Sequence, residues 1–261
     1  MPASSIRDLV LHEDDIAVAT HGRGFWILDD IEPLRQAPQL LYKPQRAWRF
    51  RWNKNTDTPL PADEPAGEKP PDGAIIDYSL ASDVNDVTLE ILDAAGHLVR
   101  RYSSNDPVRV PADTNNVPWY WIRPQPALPK TAGMHRWTWD LHYTPLADAK
   151  PTYPIAAIPH DTAPDPTSPY AMPGTYTIRL TAGGQTMTQP LVLQMDPRVT
   201  TSTADLQKQF DLSMKVYTAL QKGPNEKLRT LLDLLQAGDF APSKQLEDEV
   251  LATLGTMTAT P

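Results

Sequence analysis

Asp29, Asp30 and Glu32 stand together directly after the apolar run Phe25–Leu28. Paired carboxylates can hydrolyse a glycosidic bond, one as acid and one as base or nucleophile. Adjacent residues of a strand point to opposite faces, so the plainer reading of these three is a turn and a helix cap. His21 and Arg23 lie in the turn His21-Gly22-Arg23-Gly24, where they could hold an anionic ligand. The plainer reading is that they tie this turn to its neighbours. Asp140 and His142 fall at i, i+2 on one strand face, with His135 close by, and two such ligands could begin a metal site. No third or fourth ligand accompanies them, and surface polar residues are the simpler account. His160, Asp161 and Asp165 lack the spacing of a calcium loop.

Trp119, Tyr120 and Trp121 are the best candidates for binding. They follow Pro118, and aromatic faces stack on sugar rings. Trp119 and Trp121 point the same way if the segment is extended. The competing reading packs them as a lid over a core, as large aromatics usually are. Trp137 and Trp139 read as core. The chain has no Gly-rich phosphate loop, no Gly-x-Ser-x-Gly elbow and no His-Glu-x-x-His. It calls for no cofactor and no metal, and no catalytic residue is assigned.

The elements that must position these residues are mostly strands. Ile6–Leu11, Ile16–Thr20 and Phe25–Leu28 form a three-strand meander, turning at Asp14-Asp15 and at the glycine-rich turn. Three strands this short must pack on something else. Leu40–Tyr42 and Ala47–Phe50 add strand-like material. Residues 53–72 mix Pro with Asp and Glu and read as a stiff linker at a domain boundary. In residues 73–197, Val87–Ile91, Leu98–Tyr102, Arg136–Leu141, Thr175–Leu180 and Leu191–Met195 alternate apolar and polar, as half-buried strands do. Asp93–Gly96 and Ala182–Gly184 turn the chain. Pro190 is expected at a strand end or bulge. Two long insertions, 107–130 and 144–173, interrupt the pattern, the second with eight prolines. Thr203–Gln221, Glu226–Gln236 and Ser243–Leu254 read as helices of a tail, and the last six residues as frayed. The expected organisation is a blade-like unit at 1–52, a linker at 53–72, a β-sandwich at 73–197 and a helical tail at 198–261.

Composition supports a folded, mainly β chain. Hydrophobic residues make up 40% of 261, and the 28 prolines are about twice the usual share. A net charge of −8 without any basic run argues against nucleic acid as a partner. No stretch is apolar for the ~20 residues of a membrane span. Cys is absent, so no disulfide or thiolate site can form.

Two segments carry a resemblance. Asp8-Leu-Val, together with Val18-Ala-Thr-His-Gly-Arg-Gly-Phe-Trp-Ile-Leu-Asp-Asp30, resembles the last blade of sortilin-like β-propellers with bacterial neuraminidase repeats, a group often labelled glycosyl hydrolases. Val87–Tyr102, Ala132–Leu141 and Pro173–Leu180 resemble the immunoglobulin-like domain of flagellar hook-capping proteins. The resemblance implies a partial propeller blade, an immunoglobulin-like sandwich and a short helical tail. It also implies export to the periplasm or beyond as part of a longer bacterial protein, although this chain has no signal peptide. Met1 is then an internal methionine or the start of a truncated gene. The repeat hallmark Ser-x-Asp-x-Gly-x-Thr-Trp is absent, and the family's catalytic carboxylates sit on other blades.

Three functions follow from these readings. The first is a non-catalytic accessory region whose partners are missing blades or the remainder of a parent protein; it requires an exposed apolar face on residues 6–50. The second is a carbohydrate-binding module, which requires Trp119 and Trp121 exposed and coplanar. The third is an enzyme, or part of a glycoside hydrolase whose catalytic residues lie outside this chain; acting alone, it needs carboxylates or a metal cluster converging in a pocket. Residues 1–50 expressed alone are expected to be poorly soluble, because a blade edge would stand unpaired.

Overall fold

The computed structural model describes residues 3–51, 70–108, 116–147, 149–154 and 160–258, with no side-chain account of 257–258. The stiff linker read at 53–72 lies almost wholly outside the described residues. The chain is mainly β, with helices gathered at its C-terminal end.

β1 (Ile6–His12), β2 (Asp15–Thr20) and β3 (Phe25–Leu28) form an antiparallel meander in the order β1-β2-β3. The first turn is Glu13-Asp14, one residue earlier than expected, because Glu13 takes the left-handed conformation at φ 52. A single helical turn, α1 (Glu32–Arg35), follows.

The body consists of two sheets that share one apolar core. The larger has the order β4-β10-β9-β6-β7, with β4 (Ala47–Arg49), β6 (Val87–Leu92), β7 (Leu98–Ser103), β9 (Gly174–Ala182) and β10 (Gln185–Met195). The smaller pairs β5 (Ala74–Leu80) with β8 (Gly133–Trp139). Leu89, Ile91, Ile178, Leu180, Leu191 and Leu193 of the first sheet meet Ile76, Tyr78 and Trp139 of the second. Their period-two spacing turns one face of each strand inward, and burying that face is the main stabilising term.

Local chemistry fixes the turns. The Asp93 carboxylate accepts the N–H groups of Ala95 and His97 and closes the β6–β7 hairpin. Gly183 and Gly184, at φ 56 and 76, supply the two left-handed residues between β9 and β10. Gly73, at φ 136, passes so close to β8 that an added Cβ would sit 2.0 Å from the Trp139 carbonyl oxygen.

Three expectations are corrected here. Ala47–Arg49 does not belong with the meander: as β4 it pairs parallel with Leu193–Met195. Pro190 lies inside β10, opposite Thr177, with no bulge. Its missing N–H is tolerated because β4 covers β10 only from Leu193 onward, which leaves the earlier stretch an edge on that side. Strand β8 stops at Trp139; Leu141 is left-handed at φ 60, so Asp140 and His142 share no strand face.

The tail forms α2 (Thr203–Leu220), α3 (Glu226–Gln236) and α4 (Lys244–Thr258). Ser202, Asn225 and Ser243 cap them, each side chain accepting an N–H of the first turn. Helix α4 runs to Thr258, beyond the frayed end expected from Thr256. Leu212, Val216, Leu228, Leu232 and Val250 bury together, and Leu146 of the second insertion joins them. Among the described residues, no helix is long and apolar enough to cross a membrane.

Candidate functional site

The most unusual surface is the meander. Residues directly opposite across antiparallel strands share a face. One face therefore carries the rows Leu9–Val18–Trp26 and Leu11–Ile16–Leu28. The other carries Val10–Ala17–Ile27 and Asp8–Ala19–Phe25. Both faces are apolar, and both face solvent: Phe25 is 82% exposed, Leu11 60% and Ile27 57%. A sheet with one wet face alternates apolar and polar, whereas a sheet meant to be covered on both faces does not. The meander has the second pattern with neither face covered.

Its attachment to the body is polar. Arg136 of β8 holds Asp77 of β5 with two hydrogen bonds, at 3.0 and 2.9 Å. The same guanidinium donates to the carbonyl oxygens of Asp29, at 2.5 Å, and Asp30, at 2.8 Å. Asp77 is only 2% exposed, so this is a buried anchor. On the meander side, Asp15 accepts the N–H of Asp30, and Arg35 bridges Asp14 and Glu32.

This geometry decides the acidic trio. Asp30 is buried and left-handed at φ 53, and its carboxylate accepts the N–H of Glu32. Burial pushes its carboxyl up to about 6, with the nearby Asp77 adding to the rise. Burial and Asp15 push Asp29 up as well. Glu32 pairs with Arg35. Asp30 and Glu32 thus make local contacts at the start of α1, whose N-cap residue Ile31 has no side-chain cap bond.

The other residues singled out by sequence do not converge. His21 and Arg23 are exposed in a turn closed by its own backbone, Thr20 N–H and hydroxyl both donating to the Gly24 carbonyl. Trp119–Trp121 form a 3₁₀ turn, not an extended run. Trp119 is 49% exposed and Trp121 is buried with Val117, Ile122 and Tyr153. Their rings each meet Tyr120 edge to face, at 89° and 83°, and with Trp121 buried they do not present an exposed two-ring platform. His135 bonds the Thr131 carbonyl, while Asp161 holds Arg123 and Asp165 accepts from Thr152. The N–H of His160 donates to the Tyr120 carbonyl. Trp139 is fully buried and Trp137 packs at the edge of the core. Among the described residues, no group of three His, Cys, Asp or Glu is placed to hold a metal. An open groove between α2 and α4 is lined by Lys208, Asp211, Lys215, Glu247 and Leu251, with Lys208 and Glu247 already paired at 2.6 Å.

Sequence reasoning missed a second polar centre, between the sheets and the helical tail. Arg49 and Arg51 both donate to Asp239, at 2.5 and 3.1 Å, and both lie over the Tyr170 ring. Gln236 of α3 accepts the Tyr170 N–H and donates to Ser213 of α2. His142 packs on the same ring, 4.1 Å between centroids. Burial lowers His142 to about 4, and the two arginines lower it further against the raising effect of Asp140. Its Nδ1–H donates to the Asp140 carbonyl, which leaves Nε2 a buried acceptor. The Arg-x-Arg spacing of Arg49 and Arg51, at and just past the end of β4, was the available signal. It reads as ordinary surface charge until its distant partner is known.

No family model, no curated protein and no solved structure matches this chain.

Proposed function

We propose that this chain is a non-catalytic accessory region of an exported β-propeller protein. In this reading the meander is a propeller blade, the two-sheet body an immunoglobulin-like sandwich, and the helical tail its brace. The observation that carries the reading is the meander's pair of exposed apolar faces. Blades of a propeller stack face to face around a channel, so each needs apolar rows on both faces. The Arg136 anchor supports it too, since a polar joint can hold a blade against a body that folds around its own core.

Two measurements test this. The full chain should bind an apolar dye such as ANS strongly, and a chain beginning at Asp29 should bind it weakly while unfolding cooperatively at nearly the same temperature. Dye binding that survives the truncation would place the exposed surface elsewhere and sink the blade reading. A panel of fluorogenic glycosides should show no turnover above buffer. Turnover abolished by Asp29→Asn or Glu32→Gln would overturn the non-catalytic assignment.

A further inference from the structure

We infer that the open edge of β3 is a self-pairing edge, at which a second copy of this chain adds antiparallel and makes one continuous six-stranded sheet. The inference concerns the sheet edge and stands whatever covers the two faces.

The meander has two edges, and they differ. The β1 edge is blunted: the ladder slips between Ile6 and Asp8, and the Asp8 carboxylate accepts the N–H of Leu9 at 2.8 Å. A bulge and a charged side chain on the edge are standard guards against strand addition. The β3 edge has neither. Thr20 N–H donates to the Gly24 carbonyl, which makes that pair hydrogen-bonded. Hydrogen-bonded and non-bonded pairs alternate along an antiparallel ladder. Trp26 and Leu28 therefore use their backbone groups on β2. Phe25 and Ile27 turn theirs outward, and both residues are exposed.

Charge selects the occupant and its direction. One end of β3 carries Arg23 and the other carries Asp29, which an antiparallel register centred on Trp26 sets opposite each other across the axis; Glu32 is already paired with Arg35. An antiparallel second copy sets the cationic turn of each chain beside the acidic end of the other. A parallel neighbour would set like charges together. Bonding Phe25 of one copy to Ile27 of the other places the two-fold axis at Trp26. The two Trp26 residues then face each other as a non-bonded pair and extend the row Leu9–Val18–Trp26 across the axis.

The test uses the absence of cysteine from the chain. Opposed residues of a non-bonded pair have Cα atoms about 4.5 Å apart, within the span a disulfide accepts. Trp26→Cys should cross-link two full chains under mild oxidation at least about tenfold faster than Phe25→Cys, which faces Ile27 and not itself. Ile27→Pro removes an outward N–H and an exposed side chain, changes an edge strand tolerates. It should leave the circular dichroism spectrum unchanged and abolish the concentration-dependent dimer seen by sedimentation velocity. Three results would overturn the inference: equal cross-linking at positions 25 and 26, a dimer that survives Ile27→Pro, or a full chain that stays monomeric at every concentration.

Discussion

Arg136 grips Asp77 through Nε and Nη2 while its Nη1 and Nη2 reach the carbonyl oxygens of Asp29 and Asp30. One guanidinium thus joins β8, β5 and the end of the meander. Removing it strands the Asp77 carboxylate in a site that is 2% exposed. Arg136→Ala is expected to cost about 2–4 kcal/mol by urea unfolding, somewhat under the usual cost of breaking a fully buried pair because Arg136 keeps some solvent contact. Adding Asp77→Asn should recover part of that loss. Amides of β2 and β3 should exchange faster in Arg136→Ala than those of β9. Equal acceleration in both would mean that the anchor supports the whole fold and not the joint.

Asp30 sets one arm of the pH dependence. Its folded carboxyl titrates near 6, above the ordinary value of 3.8, because burial disfavours the charge. A raised acid contributes stability that is fully present below 3.8 and lost as pH rises through about 6. Asp30→Asn keeps the acceptor for the Glu32 N–H and suits the left-handed backbone at φ 53. It should stabilise the chain at pH 8 by on the order of 1 kcal/mol and do nothing favourable at pH 3.5. Thermal unfolding at both pH values checks this. A gain of equal size at both would assign the effect to backbone conformation.

Much of the fold was legible because it is written locally. The helix at Glu226–Gln236 has its cap, its apolar stripe and its stop in one window, and the β6–β7 and β9–β10 hairpins carry their turn residues between alternating strands. What stayed illegible depends on partners far along the chain. Strand β4 is three residues long and gains its place only from Leu193–Met195. Asp77 interrupts an apolar run, and only the approach of Arg136 makes it a core residue. The 3₁₀ turn at Trp119 could not be read from the sequence, which left an extended platform and a packed lid both open; it forms because the Trp121 N–H closes on the Pro118 carbonyl.

Asp239 is the shared counter-charge of Arg49 and Arg51, and both its side chain and that of Arg49 are almost fully buried. Burial already lowers the Arg49 pKa, and Asp239 is the main influence opposing that fall. Asp239→Ala leaves a buried cation without its partner and should cost about 3–5 kcal/mol. The double change Arg49→Leu with Asp239→Ala should cost less than the two singles added, by about 1–3 kcal/mol of coupling. Additive losses would show that the two side chains act independently, despite their 2.5 Å contact.

His142 sets the opposite arm of the pH dependence, at the same joint. Its folded pKa near 4 lies below the ordinary 6.5, so the folded state favours the neutral ring. A depressed base contributes stability that is present above 6.5 and lost as pH falls toward 4. The cause is structural: the ring is buried against Tyr170, beside two arginines that would repel an imidazolium. Between pH 7 and pH 4 this group should withdraw roughly 2 kcal/mol of stability. His142→Phe keeps a ring on Tyr170 and cannot be protonated. The variant should be the less stable protein at pH 7, having lost the bond to the Asp140 carbonyl, yet show a flatter fall toward pH 4. Because Asp30 pulls the other way over much of this range, the comparison belongs in an Asp30→Asn background. There, an acid limb equally steep with His or Phe at position 142 would remove His142 as its source.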